Sequence, residues 1–221
     1  MMVAWTADHY SPTGEIRQVS LPDGTQVWLD TASAFDQDFR SDLRRLRLLA
    51  GEILVATAHA APGAPFVVDT AQGRMRALGT RFTVRLEKGR TFLAVYQGAV
   101  QVDTLDGAGG VIPEGRQTAF TAGAIQEAMP ADPAREAWTR GELIAQDLPL
   151  RNLAAELNRY TSGHIGVAPE VAQRRVFGTF PLRDVNGTLS MLAEAAQVRA
   201  RRVLPWWTIL EAADDPPPPH S

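Results

Sequence analysis

Arg81-Phe82-Thr83-Val84-Arg85-Leu86 alternates polar and apolar side chains without a break. Successive side chains of an extended chain point to opposite faces, so Phe82, Val84 and Leu86 share one face and Arg81, Thr83 and Arg85 the other. The stretch predicts a half-buried strand. Glu87-Lys88-Gly89-Arg90 then turns the chain, and Thr91 to Tyr96 returns antiparallel. Gln97-Gly98 turns it again into Val100-Gln101-Val102. Upstream, Leu21-Pro22-Asp23-Gly24-Thr25 is a turn in which Pro presets φ and Gly accepts φ > 0. It leads into Val27-Trp28-Leu29, with Val27 and Leu29 on one face. Glu114-Gly115 and Ala122-Gly123 mark two later turns. Their uneven spacing does not describe a regular solenoid. From 13 to 127 the pattern is a turn-rich, antiparallel all-β domain, preceded by a lead-in over 1–12.

Met129-Pro130-Ala131-Asp132-Pro133 breaks strand and helix alike, which places a linker over 128–137. The period then changes. Glu142 to Gln146 reads as a short strand, and Asp147 before Leu148-Pro149 as a helix start. Leu150, Leu153, Ala154 and Leu157 fall at i, i+3, i+4 and i+7, one apolar helical stripe. His164–Ala168 and Val176–Phe180 read as strands. Asn186 can cap a second helix carrying Leu189, Leu192, Ala193 and Ala196. Val198–Leu204 and Trp206–Leu210 close with two strands. The order β-α-β-β-α-β-β over 138–212 is a small α+β domain, so the chain is mainly β. Asp214-Asp215-Pro216-Pro217-Pro218-Pro219 makes 213–221 a polar, disordered tail.

The 221 residues allow one large domain or two small ones, and 18 Gly with 15 Pro favour turns and short strands over a helical bundle. A net charge of −3 is too near zero to steer the molecule onto nucleic acid or an anionic membrane. Nearly all the positive charge is arginine, Lys88 being the one lysine. With no cysteine there is no disulfide framework, thiolate zinc site, iron–sulfur cluster or Cys nucleophile. The opening Met1-Met2-Val3-Ala4-Trp5-Thr6-Ala7-Asp8 has neither a basic n-region nor an apolar h-region, and no run of ~18 apolar residues is long enough to span a bilayer.

Catalytic motifs are not found. His9, His59, His164 and His220 lie far apart, none at metal-ligand spacing. Gly107-Ala108-Gly109-Gly110 has a phosphate loop's composition but neither the following Lys-Ser/Thr nor a helix start, so it reads as a hairpin tip. Asp36 with Asp38, or Asp103 with Asp106, could pair for acid–base work, but their places beside turns favour solvated loop carboxylates. Arg40, Arg44, Arg45 and Arg47 form the densest basic patch. No aromatics interleave with them and Asp36, Asp38 and Asp42 offset them, so a solvated or partner-facing surface is expected. No catalytic, cofactor or metal residue is assigned. Trp206 and Trp207 are adjacent and in a strand must face opposite sides. Burial of both within the body is expected, and exposure of either would mark an interface anchor.

Several segments together resemble the periplasmic part of FecR-type sigma-factor regulators. They are Thr13-Gly14-Glu15-Ile16-Arg17, then Leu21 through Leu29 with Ala32-Ser33, and Gly51-Glu52-Ile53-Leu54-Val55. Pro65-Phe66-Val67-Val68, Ala77 through Val84, Val95 through Val102 and Ala137 through Leu143 follow in the family's order. The second domain is similar to the short secretin/TonB N-terminal module, abbreviated STN, at Leu148-Pro149-Leu150, Leu157-Asn158-Arg159-Tyr160, Ile165-Gly166-Val167 and Val176 through Phe180.

The resemblance implies a single-pass inner-membrane regulator whose periplasmic part corresponds to this chain. That part receives a signal from the N-terminal signalling domain of an outer-membrane TonB-dependent transporter loaded with a ferric chelate. The output is control of an extracytoplasmic-function sigma factor, through a cytoplasmic segment and membrane helix not found in this sequence. Such a sensor needs no cofactor. It needs an edge or face to offer: the outer strand of the α+β sheet could be extended by a partner strand, and docking is expected on the STN-like domain or at its junction with the β-domain, with Trp206 or Trp207 as anchor. Two other classes stand beside it: a carbohydrate- or cell-wall-binding β module, with Trp28 the tryptophan well inside the β-domain, and a hydrolase using paired carboxylates.

Overall fold

A computed structural model describes residues 6–58, 64–77 and 79–213. The chain divides into two compact units, Met1–Thr139 and Arg140–Ser221. His59, His220 and residues 214–221 of the expected tail lie outside the described residues.

Short alternating runs separated by Gly turns make the first unit. Its strands are β1 (His9–Tyr10), β2 (Arg17–Ser20), β3 (Gln26–Leu29), β4 (Ala34–Arg40), β5 (Leu43–Ala50), β6 (Glu52–Ala56) and β7 (Phe66–Thr70). β8 (Gly73–Ala77), β9 (Arg81–Glu87), β10 (Arg90–Gln97), β11 (Ala99–Thr104), β12 (Gly109–Pro113), β13 (Arg116–Phe120) and β14 (Met129–Pro130) follow. They form two seven-stranded sheets, one ordered β1-β4-β5-β7-β8-β11-β12 and the other β2-β3-β6-β9-β10-β13-β14. Neither sheet has a strand out of chain order. The chain passes back and forth between the sheets, laying down one strand or one hairpin at each visit.

The two inner faces share one apolar core. Phe35, Leu46, Phe66, Val68, Met75, Val100 and Val102 come from one sheet, and Val27, Leu29, Ile53, Val55, Phe82, Val84, Leu93, Val95 and Phe120 from the other. Each such side chain, fully removed from water, contributes about 1.5–3 kcal/mol before ordering entropy is subtracted. Phe82 and Val84 face inward as their spacing predicts, but Thr83, on the opposite side of β9, is buried as well. A 3-10 segment, Pro133–Arg140, covers that outer surface with Ala137 and Trp138. Glu136 accepts from Arg81 at 2.5 Å, and the Arg135 guanidinium sits 4.1 Å over the Phe92 ring. Residues 128–137 therefore carry β14, paired with β13, and the first half of this packed segment.

The points where the chain changes sheets decide the topology. Gln97-Gly98 does not continue a meander: β11 pairs with β8 and β12, in the other sheet from β10. Gly98 has φ 78°, and a Cβ there would lie 2.4 Å from the Gly79 carbonyl oxygen. At the β5–β6 crossing Gly51 has φ 75°, and a Cβ would meet Ser33 Oγ at 2.1 Å and its Cα at 2.7 Å. The Ser33 hydroxyl accepts from the Glu52 N–H at 2.9 Å and donates to the Thr31 carbonyl at 3.1 Å, tying the two crossings together. One pairing departs from an all-antiparallel domain. β5 and β7 run parallel, Arg44 opposite Phe66, because the intervening β6 lies in the other sheet and the chain returns in the same direction.

The second unit follows the expected β-α-β-β-α-β-β order: β15 (Glu142–Pro149), α1 (Leu150–Leu157), β16 (His164–Val167), β17 (Arg175–Pro181), α2 (Val185–Ala195), β18 (Val198–Leu204) and β19 (Trp207–Ala212). β15 and β17 pair antiparallel, and a three-stranded sheet runs β16-β19-β18 with β16 parallel to β19. Leu150, Leu153, Ala154 and Leu157 are all buried, so the helical stripe is as read. Asn158 fastens the end of α1 to β16: its amide accepts from the Ile165 N–H at 2.7 Å and donates to the Ile165 carbonyl at 2.8 Å.

Both helix starts differ from the sequence reading. Asp147 lies inside β15 at φ 61°, where the ladder shifts register, and binds Arg175 through both carboxylate oxygens. The residue preceding α1 is Pro149, which has no side chain able to cap. Asp184, not Asn186, caps α2 by accepting from the Gly187 N–H at 3.0 Å. Asp is as good a cap as Asn, and the strand ending at Pro181 leaves Asp184, not Asn186, at the first turn.

The close approach at Gly51 predicts a graded outcome in urea unfolding. Gly51→Ala adds an overlap with Ser33 to left-handed strain and destabilises by about 3 kcal/mol or more. Gly89→Ala, at the same φ of 75° but with open space around it, loses only about 1–2 kcal/mol. Equal losses would remove the crossing contact as the cause.

Candidate functional site

The sequence-derived candidates separate into those that the fold neutralises and those that it exposes. On the outer face of the first unit's β1–β12 sheet, cross-strand partners run Asp36, Arg47, Asp69, Arg74, Asp103 over five adjacent strands. Charge alternates at every step, as cross-strand pairs prefer. Asp69 takes Arg74 in a bidentate pair at 2.7 Å, and Asp38 binds both Arg40 at 2.9 Å and Arg45 at 2.6 Å. Hydrogen bonds from Arg40, with its charge and that of Arg45, hold the Asp38 carboxyl below the ordinary carboxylate range. Arg44 turns away from its neighbours to Asp23 in the β2–β3 turn, at 2.7 Å. The arginine cluster is thus a compensated face, not a basic groove.

Trp28, the aromatic that a sugar-binding platform would need, carries the Arg81 guanidinium 5.2 Å over its ring, and Arg81 is itself held by Glu136. His9 stacks on Phe35 at 4.7 Å and shares a 3.3 Å hydrogen bond with Gln37 Oε1. Among the described residues no group of three His, Asp or Glu could hold a metal. None of their helices is long and apolar enough to cross a membrane.

The second unit presents a different surface. On one face of its three-stranded sheet, His164 and Gly166 of β16 stand opposite Trp207 and Ile209 of β19. Arg199, Arg201 and Leu204 of β18 stand opposite Glu211, Ile209 and Trp207. The Trp207 indole lies across Gly166, where a Cβ would come within 3.2 Å of Nε1. That indole N–H is buried and has no acceptor among the described residues.

Trp206 does not take the opposite side. It sits in the turn between β18 and β19, outside the ladder, and its ring lies near-parallel to that of Trp207, 19° apart with centroids at 6.4 Å. Nor are both buried: Trp206 is 59% exposed, flanked by Leu204 at 42%. The strict alternation applied to the pair fails because the turn frees the first of the two residues from the pleat.

Sequence reading missed the charged half of this face. One carboxylate, Glu211, receives two guanidinium groups at the same oxygen, from Arg199 at 2.7 Å and Arg201 at 2.9 Å. Hydrogen bonds from Arg201 and then Arg199 bring the Glu211 carboxyl down to about 2. The available signal was Val198-Arg199-Ala200-Arg201, two arginines at strand spacing, with a lone Glu in the next strand.

Two outcomes follow from this geometry. Trp206→Ala changes unfolding stability by no more than about 1 kcal/mol, the scale of one aromatic stack, whereas Trp207→Ala, which uncovers Gly166, loses about 2 kcal/mol. Reversed effects in urea denaturation would contradict the placement of the two rings. A carboxyl depressed by folding adds stability above its unfolded value near 4.5, and that contribution disappears as pH falls through about 2. Carboxyl NMR should therefore give Glu211 a midpoint near 2, and Arg201→Ala should move it up towards 4.5. A midpoint unmoved by Arg201→Ala would show that the pair does not set it.

Comparison with known proteins places this architecture. Residues 7–101 match the FecR protein family. Two crystal structures of a candidate anti-sigma factor from Parabacteroides distasonis ATCC 8503, at 1.65 and 2.50 Å, share the fold with TM-scores of 0.73 and 0.72. Each is 24% identical and aligns over 93% of this chain and 98% of its own. No curated protein matches. Over residues 7–101, which include the Gly51 and Gly98 crossings of the first unit's β-sandwich, the chain is similar to the FecR protein family.

Proposed function

We propose that this chain is the periplasmic signal-receiving module of a FecR-type anti-sigma or sigma regulator. In this reading 13–127 is the FecR-type β-domain and 138–212 an STN-like domain. The module docks the N-terminal signalling domain of an outer-membrane TonB-dependent iron-chelate transporter. Through a membrane helix and cytoplasmic segment of the full regulator, docking controls an extracytoplasmic-function sigma factor.

The observation that carries the reading is the FecR match over 7–101, joined in one chain to a second unit whose surface keeps a Trp half in solvent. An exposed, stacked Trp is suited to protein recognition: it offers a large rigid contact area and loses little conformational freedom on binding. Support for the second unit's part is its β-α-β-β-α-β-β order with an open sheet edge.

Isothermal titration of this chain against the isolated signalling domain of a transporter encoded in the same genome tests the proposal. The expected result is saturable binding at a Kd of about 1–10 µM, with a negative heat-capacity change from apolar burial. Trp206→Ala should weaken it at least about tenfold, the loss of one aromatic anchor. No heat and no co-elution with any such domain would overturn the reading.

A further inference from the structure

We infer that the 3-10 segment Pro133–Arg140 is a releasable strap, which opens from the outer face of the sheet running from β2 to β14 while the sandwich beneath stays folded. Among the described residues its backbone bonds no strand. The Arg135 N–H goes to the Asp132 carbonyl at 3.1 Å, the Ala134 N–H to the Asp132 carboxylate at 2.9 Å, and the Thr139 hydroxyl to the Glu136 carbonyl at 2.8 Å. All of these close within the segment and its cap, so they survive its release. The last backbone bond to the sheet comes before it, from the Ala131 N–H to the Gly115 carbonyl at 2.8 Å. An eight-residue 3-10 run is also long for its kind, because its bonds are poorly aligned and such runs rarely pass three or four residues.

Side chains therefore hold the strap. Glu136 pairs with Arg81 at 2.5 Å, but the two side chains are 19% and 32% exposed, so water reaches the pair. Arg135 lies over the Phe92 ring, and Ala137 and Trp138 are the buried apolar part. Closure leaves polar atoms poorly served. The Trp138 indole N–H is buried with no acceptor among the described residues. On the covered face the Tyr96 hydroxyl turns to that of Thr83, yet neither completes a hydrogen bond among the described residues. Burial pushes the Tyr96 phenol up to about 12, as for a hydroxyl shut off from water. Water bonds all three groups once the strap lifts, an asymmetry that favours release. The core does not need the strap: Phe82, Val84, Leu93 and Val95 pack on the opposite side of β9 and β10.

Opening frees the stretch that joins the two units, eight residues or up to about 28 Å of extended chain. Any partner that binds the uncovered Phe92 surface, or that draws on the chain past residue 140, shifts the strap towards open. The inference is independent of which partner docks on the second unit.

Hydrogen exchange of the Trp138 indole N–H, followed by NMR on the full chain, tests it. The expected result is exchange at least about tenfold slower than at the exposed Trp206 indole, yet at least about 100-fold faster than at the Val84 and Leu93 amides. Glu136→Gln should speed Trp138 exchange about threefold, and Tyr96→Phe should slow it at least about threefold by removing an ill-bonded hydroxyl from the closed state. Neither should move Val84 or Leu93. If Glu136→Gln does move them, and so impairs folding, Arg135→Ala takes its place with the same expectation. A Trp138 indole as slow as the Val84 amide, or as fast as Trp206, would overturn the inference. So would Tyr96→Phe variants that exchange unchanged or faster.

Discussion

Two backbone positions without side chains hold the first unit together. At Gly51 and Gly98 the chain passes between sheets so closely to a neighbouring crossing that a methyl group would lie 2.1 Å from Ser33 Oγ or 2.4 Å from the Gly79 carbonyl oxygen. Both also use left-handed φ, which other residues adopt only with strain. The apolar faces of β6 and β11 can meet the shared core only if these passages are that tight. The Ser33 hydroxyl, bonded to backbone on both sides of the gap, replaces the ladder bonds given up where the strands part. Core, sheet order and the parallel β5–β7 pair all follow from where the chain is allowed to cross.

Much of the fold was legible in local pattern. Val27, Leu29, Phe82 and Val84 are fully buried, as their alternation requires, and the Leu150–Leu157 stripe packs inward as its helical spacing requires. Partner choice was not legible. Gly89 and Gly98 have nearly the same φ, 75° and 78°, yet one closes a hairpin within a sheet and the other sends the chain to the opposite sheet. The difference lies in the distant Gly79 carbonyl against which Gly98 is pressed, a contact no local pattern encodes. Thr83 was misplaced for a related reason: residues 133–140, fifty positions downstream, cover the face to which it points.

The candidate site was legible in its aromatics and not in its charges. Trp206 and Trp207 could be singled out as residues, but the turn that lets their rings stack is a property of the β18–β19 connection. The pairing of Arg199 and Arg201 with Glu211 depends on a register that only the folded sheet defines. The contrast between the two units is physical. On the first unit's outer sheet face, acid and base alternate across five strands and leave little field. On the second unit's sheet, Arg199 and Arg201 meet at Glu211, and Leu204 and Trp206 leave apolar surface exposed at the far end of β18.

Because both sheets of the first unit are laid down in chain order, every strand finds its earlier neighbour already synthesised. A chain emerging N-terminus first, from a ribosome or a translocation pore, can add each new strand to an existing edge without waiting for a distant segment. Hairpins alternate with long closures such as Glu52 to Arg85, so most contacts are long-range, as in other all-β topologies that fold slowly. The growing edge of each sheet is then covered by the next visit of the chain to that sheet. That order of addition gives a route to the native sandwich in which each newly exposed edge is covered by a later strand.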